Sequence, residues 1–252
     1  MKTGILIAAR LGSSRLPKKH LQHAGGRPIF YYLLERINRE FKEEIAKGEV
    51  EVVICSSDEP MNEELRQFDN ADLFLGDVHN IPKRQVQAAK AYKLDQIINV
   101  DGDDILCSRR AMRAAFETLS RGANYIYTKN LPIGMNVLGY KTGFLNRCME
   151  KYMETEVLET GWGRVFDKSE LKEIIFESEP DYDFLRFTLD YPEDYEFFSR
   201  VIEALGEHVW DATDKDIIDA ARKNDLYKIN SVLLEEYREN FNRQVAKEGE
   251  QK

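Results

Sequence analysis

The sequence predicts an α/β fold, a mostly parallel sheet with helices on both faces. Short apolar runs at 5–9, 50–55 and 96–100 lack polar alternation, the pattern of strands buried on both sides. Segments of helical spacing alternate with them, which favours crossover connections over hairpins. The loops at Arg10, Ser56 and Asp103 each follow one of these strands, so they are expected to meet at one edge of the sheet, where such folds bind ligands.

Taken in order, the strand at 5–9 breaks into a loop carrying Arg10, Gly12, Ser13, Ser14, Arg15, Pro17, Lys18 and Lys19. Pro28 stands at the favoured first position of a helix, and Ile29, Tyr32, Leu33, Ile37 and Phe41 continue it at helical spacing to Ala46. Pro60 opens a helix over 60–68, and a short strand at 71–75 runs into a loop at 76–81. Pro82 begins another helix. The strand at 96–100 ends in Asp101, Gly102, Asp103 and Asp104, and a helix at 109–119 leads to a strand at 124–128.

Beyond Leu131 the pattern loosens. Expected there are a strand at 137–140, a helix at 143–152 capped by Thr142, an excursion or lid at 156–164, and strands at 174–177 and 185–189. Helices then follow at 192–205, 213–223 and 231–246, the last with an apolar stripe that fades into charge. No repeat or interdomain linker is visible, so the reading is one domain over 1–252, with halves at about 1–128 and 129–252.

The formal charge of −9 argues against a nucleic-acid binder, so a local run of cations points to a small anion. No apolar run approaches bilayer-spanning length and no signal peptide is apparent, which predicts no membrane insertion. Cys55, Cys107 and Cys148 are scattered and odd in number, as expected of reduced cytoplasmic thiols. The four histidines show no metal-ligand spacing and read as surface or loop residues.

Two clusters carry chemistry. In the loop after the first strand, Gly12 and the serines let backbone N–H groups approach anionic oxygens while the cations neutralise them, a cradle for a polyphosphate. The alternative is a solvated basic turn. The phosphate-loop pattern G-x-x-x-x-G-K-[ST] is absent. Asp101, Asp103 and Asp104 crowd one strand end, and clustered carboxylates call for a cation or for solvent. Mg²⁺ held by one or two of them with phosphate oxygens is one reading; an Asx-rich turn capping the next helix is the other.

Three segments resemble motifs of the cytidylyltransferases that make CMP-activated sugar acids. The branch most similar is that of the spore-coat polysaccharide biosynthesis protein F, with 3-deoxy-manno-octulosonate cytidylyltransferases as cousins. Ala9-Arg-Leu-Gly-Ser-Ser-Arg-Leu-Pro-Lys-Lys-His-Leu21 is similar to the amino-terminal signature. Asn99-Val-Asp-Gly-Asp-Asp-Ile-Leu106 is similar to Asn-Val-x-Gly-Asp-x-Pro-Leu, with Ile105 in place of proline. Arg186-Phe-Thr-Leu-Asp-Tyr-Pro-Glu-Asp194 is similar to Arg-Leu-Thr-Val-Asp-x-Pro-Glu-Asp.

The resemblance implies a Rossmann-like nucleotide-diphospho-sugar transferase fold. It also implies transfer of CMP from CTP to a small anionic acceptor (a sugar acid, sugar phosphate or phosphonate), with pyrophosphate released. Arg10, Arg15 and Lys19 would then act on the phosphates. Ala8, Ala9, Gly12, Ser13, Ser57, Arg84 and Asp103 would line the nucleotide, and Asp103 and Asp190 would hold Mg²⁺. Asp101 would meet metal, water or nothing. A homodimer is common in the family.

The second half departs from the branch. Pro-x-Gly-x-Asp-x-Glu has become Pro132-Ile-Gly-Met-Asn-Val-Leu138, and Arg-Glu-His-Val-Thr has become Thr155-Glu-Val-Leu-Glu159. Asn136, Trp162 and Arg186 are the weak candidates for acceptor contacts. Trp162 serves equally as a lid or core residue, and Arg186 as a structural ion pair. Two alternatives stay open: a metal-dependent glycosyltransferase of related fold, and a nucleotide-binding protein without activity.

Overall fold

The computed structural model describes residues 1–155, 157–179 and 182–249. A seven-stranded sheet forms its centre, built from β1 (Thr3–Ala8), β4 (Val50–Ser57), β5 (Asp72–Gly76), β6 (Gln96–Asp101), β7 (Tyr125–Lys129), β8 (Leu138–Lys141) and β9 (Leu171–Ile175). A ribbon of β2 (His23–Ala24) and β3 (Arg27–Pro28) stands apart. The order is β5-β4-β1-β6-β8-β7-β9, parallel throughout except that β8 runs against both its neighbours.

The central strands show why their sequences are continuous apolar runs. In β1, Ile5 and Ile7 enter one core and Leu6 the other; in β4, Val52 and Ile54 oppose Val53 and Cys55; in β6, Ile98 and Val100 oppose Ile97. One core packs under α1 (Ile29–Glu40), α4 (Arg109–Ser120), α6 (Pro192–Leu205) and α7 (Asp214–Arg222). The other packs under α3 (Ile81–Tyr92) and α5 (Thr142–Met149). Helices therefore cover both faces, as expected. The short α2 (Lys42–Ala46) and the carboxyl-terminal α8 (Leu234–Gly249) complete the set named here.

Several local expectations need correction. The helix expected over 28–46 breaks at Phe41, whose φ of −109° and ψ of 21° separate α1 from α2. Residues Pro60–Gln67 form a 3₁₀ helix, and a further 3₁₀ turn at Ser231–Leu233 precedes α8. Thr142 is no cap: its hydroxyl donates to the Leu94 carbonyl at 2.7 Å, and Lys141 holds the cap position of a helix ending at Met149. β9 begins three residues before the expected 174, at Leu171. Of the excursion expected at 156–164, Glu156 lies outside the described residues.

The strand expected at 185–189 does not join the sheet. Its backbone bonds go to loops: Phe187 N–H donates to the Ile133 carbonyl at 2.8 Å and Leu189 N–H to the Asp103 carbonyl at 2.8 Å. Gly134 permits this crossing, with φ of +85° and a position where a Cβ would stand 2.0 Å from the Phe187 carbonyl oxygen. The extended segment thus lies along the β6 loop and delivers Asp190 beside Asp103.

Candidate active site

The loops after β1 and β6, the segment before α6, residues 159–163 and α8 enclose a cavity of about 860 Å³. Ala8, Ala9, Arg10, Gly12, Ser13, Arg15, Lys19, Arg84, Asp103, Trp162 and Asp190 all line it. Backbone contacts set the two main loops against each other. Gly102 N–H donates to the Ala8 carbonyl at 2.8 Å, and a Cβ on Gly102 would stand 2.7 Å from that of Ala9. Only glycine allows the two strand ends so close.

The charged centre is Lys19. Its Nζ is 2.7 Å from Asp103 Oδ2 and 3.2 Å from Asp190 Oδ1, with the lysine side chain 7% exposed. Arg15 reaches the same Asp190 oxygen at 2.8 Å and lies over the Tyr191 ring at 4.8 Å. Burial by itself would lower the Lys19 ammonium, but Asp103 and Asp190 reverse this and hold it above its ordinary value. Burial would likewise raise the Asp103 carboxyl, yet Lys19 and His20 keep it well below the usual carboxylate range.

Asp101 and Asp104 behave oppositely. Asp101 faces solvent within the cavity, but protein surrounds it closely, and this burial together with Asp103 pushes its carboxyl up to about 6. Burial, with Asp101 and Asp103, raises Asp104 well above the usual range. Asp101 thus lines the cavity as a carboxyl that keeps its proton more readily than an ordinary aspartate.

His20 was missed as a site residue. It is buried beneath the loop, 1% exposed, with Nε2 3.1 Å from Asp103 Oδ1 and its ring 4.9 Å from Phe30, edge to face. The sequence signal was its place in the cationic motif directly after Lys19; metal-ligand spacing was the wrong criterion.

Other candidates stand where they serve different ends. Ser57 lies outside the cavity wall. Its hydroxyl donates to Glu59 at 2.6 Å and accepts from the Asn62 side-chain amide at 2.8 Å, while Asn62 Oδ1 accepts from Leu11 N–H at 2.8 Å. Ser57 thus braces the loop after β1 from behind. Asn136 is also away from the cavity, its amide donating to the Leu131 carbonyl at 2.9 Å to hold the turn before β8. Arg186 is fully buried, bidentate to Asp194 at 2.9 and 3.1 Å and bonded to Asp190 at 3.0 Å. It orients Asp190 instead of meeting an acceptor.

Arg84 lines the cavity, but its guanidinium donates to the carbonyls of Asp77 at 2.7 Å and Val78 at 3.0 Å. Carbonyls carry no net charge, so this cation still contributes its field to the cavity; burial lowers its pKa. Arg10 pairs with Glu159 at 3.0 Å, and His79 Nδ1 lies 3.3 Å from the same carboxylate oxygen. Trp162 is 7% exposed, packs edge to face on Phe166 at 5.6 Å and also lines the cavity.

The three motif segments thus bring Arg15, Lys19, Asp103 and Asp190 together at one cavity. A sequence model of cytidylyltransferases matches residues 4–201. The chain belongs to the cytidylyltransferase family. An uncharacterized protein of Methanocaldococcus jannaschii is 26% identical over 251 residues, 95% of this chain and 99% of that one. The spore coat polysaccharide biosynthesis protein SpsF of Bacillus subtilis is 24% identical, over 87% of this cytidylyltransferase and 93% of SpsF. A 3-deoxy-manno-octulosonate cytidylyltransferase of Hydrogenovibrio crunogenus is 34% identical over 118 residues, and the match spans 45% of each. Among solved structures, a cytidylyltransferase from Leptospira borgpetersenii superposes with a TM-score of 0.71 at 23% identity, covering 90% of this chain and 96% of that one. The shared architecture is the Rossmann-like fold of nucleotidyltransferases.

Among the described residues no group of three or more His, Cys, Asp or Glu is set to hold a metal ion, and no helix is long and apolar enough to cross a membrane. The two carboxylates that meet at Lys19 nevertheless fit a hard divalent cation. Their oxygens converge on one positive charge, as they would on a metal ion, and Asp101 stands beside them on the cavity wall.

Proposed function

We propose that this cytidylyltransferase moves CMP from CTP to a sugar acid, sugar phosphate or phosphonate and releases pyrophosphate, in the synthesis of a surface-glycan precursor. The observation that carries the reading is the meeting of Asp103 and Asp190 beside Arg15 and Lys19 in one cavity. The names of the octulosonate enzymes and of SpsF support the acceptor class.

Arg10, Arg15 and Lys19 hold the β- and γ-phosphates and take up the negative charge that grows on the leaving pyrophosphate. Their pairing with Glu159, Asp190 and Asp103 fixes them before the substrate arrives, so little reorganisation is needed at reaction. Asp103 and Asp190 would hold Mg²⁺, which would supply Lewis-acid polarisation of the α-phosphate. The acceptor oxygen forms its bond to the α-phosphorus as the bond to the β-phosphate oxygen breaks. Residues 1–128 supply the nucleotide half of a single domain, and 129–252 the acceptor half. The reading places the enzyme in the cytoplasm as a homodimer; its three free cysteines accord with a reducing compartment.

Incubation with Mg²⁺, each of the four nucleoside triphosphates and a panel of such acceptors tests this. A CMP-linked product identified by mass spectrometry with CTP alone supports it. Consumption of a nucleotide sugar without pyrophosphate would mark a glycosyltransferase. Tight CTP binding with no product from any acceptor would mark a binding protein.

A further inference from the structure

The family match ends at residue 201, yet the chain returns to the cavity with α8. Tyr237, Asn240, Phe241, Gln244, Lys247 and Glu248 line it. Their spacing of three and four residues puts them on a single helical face.

Both ends of this face are fastened. The Tyr237 ring stacks on the buried Arg186 guanidinium at 4.3 Å, and Asn240 donates to the Tyr191 hydroxyl at 3.0 Å. At the other end Glu248 accepts from Thr160 N–H at 2.8 Å and pairs with Arg164 at 3.0 Å. Val245 presses on Gly161, where a Cβ would stand 2.8 Å from the valine methyl and φ is +59°. The helix thus spans the cavity from the Asp190 side to the loop at 159–163.

A helix that merely covers a core turns an apolar stripe inward. The cavity face of α8 instead carries Gln244, Lys247 and the 40%-exposed Phe241. The other Arg and Lys residues lining the cavity are engaged: Arg10 by Glu159, Arg15 by Asp190, Lys19 by both aspartates and Arg84 by backbone carbonyls. Among the described residues the Lys247 ammonium and the Gln244 amide nitrogen have no partner. They lie three residues apart, so a cation and an N–H donor face the same space beside an aromatic ring.

We propose that α8 is a wall of the substrate site, in which Lys247 and Gln244 grip an anionic group of a ligand and Phe241 packs on its ring. A phosphate of the nucleotide and the acid group of the acceptor share this chemistry. The proposal rests on the nucleotidyl transfer set out above.

Calorimetry on the full chain with Mg²⁺ tests it, using CTP, pyrophosphate and 3-deoxy-manno-octulosonate as probes. Lys247→Ala and Phe241→Ala are expected to weaken at least one probe tenfold or more, and Lys247→Arg to restore it. Arg243→Ala, on the same helix but off the cavity, stays at the wild-type value. Weakening of CTP and pyrophosphate together identifies a nucleotide phosphate; weakening of the sugar acid alone identifies the acceptor. If Lys247→Ala and Phe241→Ala both stay within twofold for every probe that the wild type binds, the proposal fails while the functional reading stands. A wild-type chain that binds no CTP removes both.

Discussion

Asp103 and Asp190 are 87 residues apart in sequence and meet at one ammonium, Lys19 Nζ, at 2.7 and 3.2 Å. The amino-terminal motif therefore supplies the charge that holds the other two motifs together. Lys19→Ala leaves two carboxylates facing each other without that charge. Turnover is expected to fall at least a hundredfold, and Mg²⁺ alone should raise the melting temperature of the variant by more than it raises that of the wild type. Thermal melts with and without Mg²⁺ check this; equal increments would place the cation elsewhere.

Asp101 gives the site a pH dependence whose sign is fixed. Its carboxyl is pushed up to about 6, above its unfolded value of about 4. Between these values the folded chain binds the extra proton, so stability falls as the pH rises through the window. Asp103 acts the other way, since its depressed carboxyl contributes stability at neutral pH that is lost on acidification below the unfolded value. Asp101→Asn removes the first effect. The variant is expected to melt with the wild type at pH 4.5 and above it at pH 8, as read by scanning calorimetry.

Arg186 is a structural cation with a functional neighbour. Replacing it with methionine leaves Asp194 buried without its partner, at a cost of about 3–5 kcal/mol. Urea unfolding is expected to show that loss. Asp190 also loses one of its three cationic contacts, so kcat of the folded fraction should drop as well. Unchanged stability would deny the ion pair its role.

The central strands and the motif loops were legible because they depend on local patterns. β1, β4 and β6 bury both faces, so their sequences show it directly, and the loop at Arg10–Lys19 breaks from apolar to cationic within one residue. What was not legible depends on partners distant in sequence. The segment at 185–189 has the composition of a strand, but its backbone bonds go to Ile133 and Asp103, which only the fold brings near. Ser57 and Asn136 carry polar groups at loops near the site, and both spend them on the backbone or on neighbouring side chains. His20 showed no spacing that separates a buried imidazole from an exposed one. The charged end of α8 gave no sign of a site because a polar wall turned to a cavity and one turned to bulk water have the same composition.

Pyrophosphate release with CTP, Mg²⁺ and the acceptor that gives the CMP-linked product, compared between wild type and Asp103→Asn, tests the central claim most directly. The two side chains are nearly isosteric, so the fold is retained while one of the two converging charges is removed. The account predicts burst-free steady release by the wild type and a rate at least a thousandfold lower in the variant, with an unchanged circular dichroism spectrum. Release within tenfold of the wild type by a folded Asp103→Asn would contradict it.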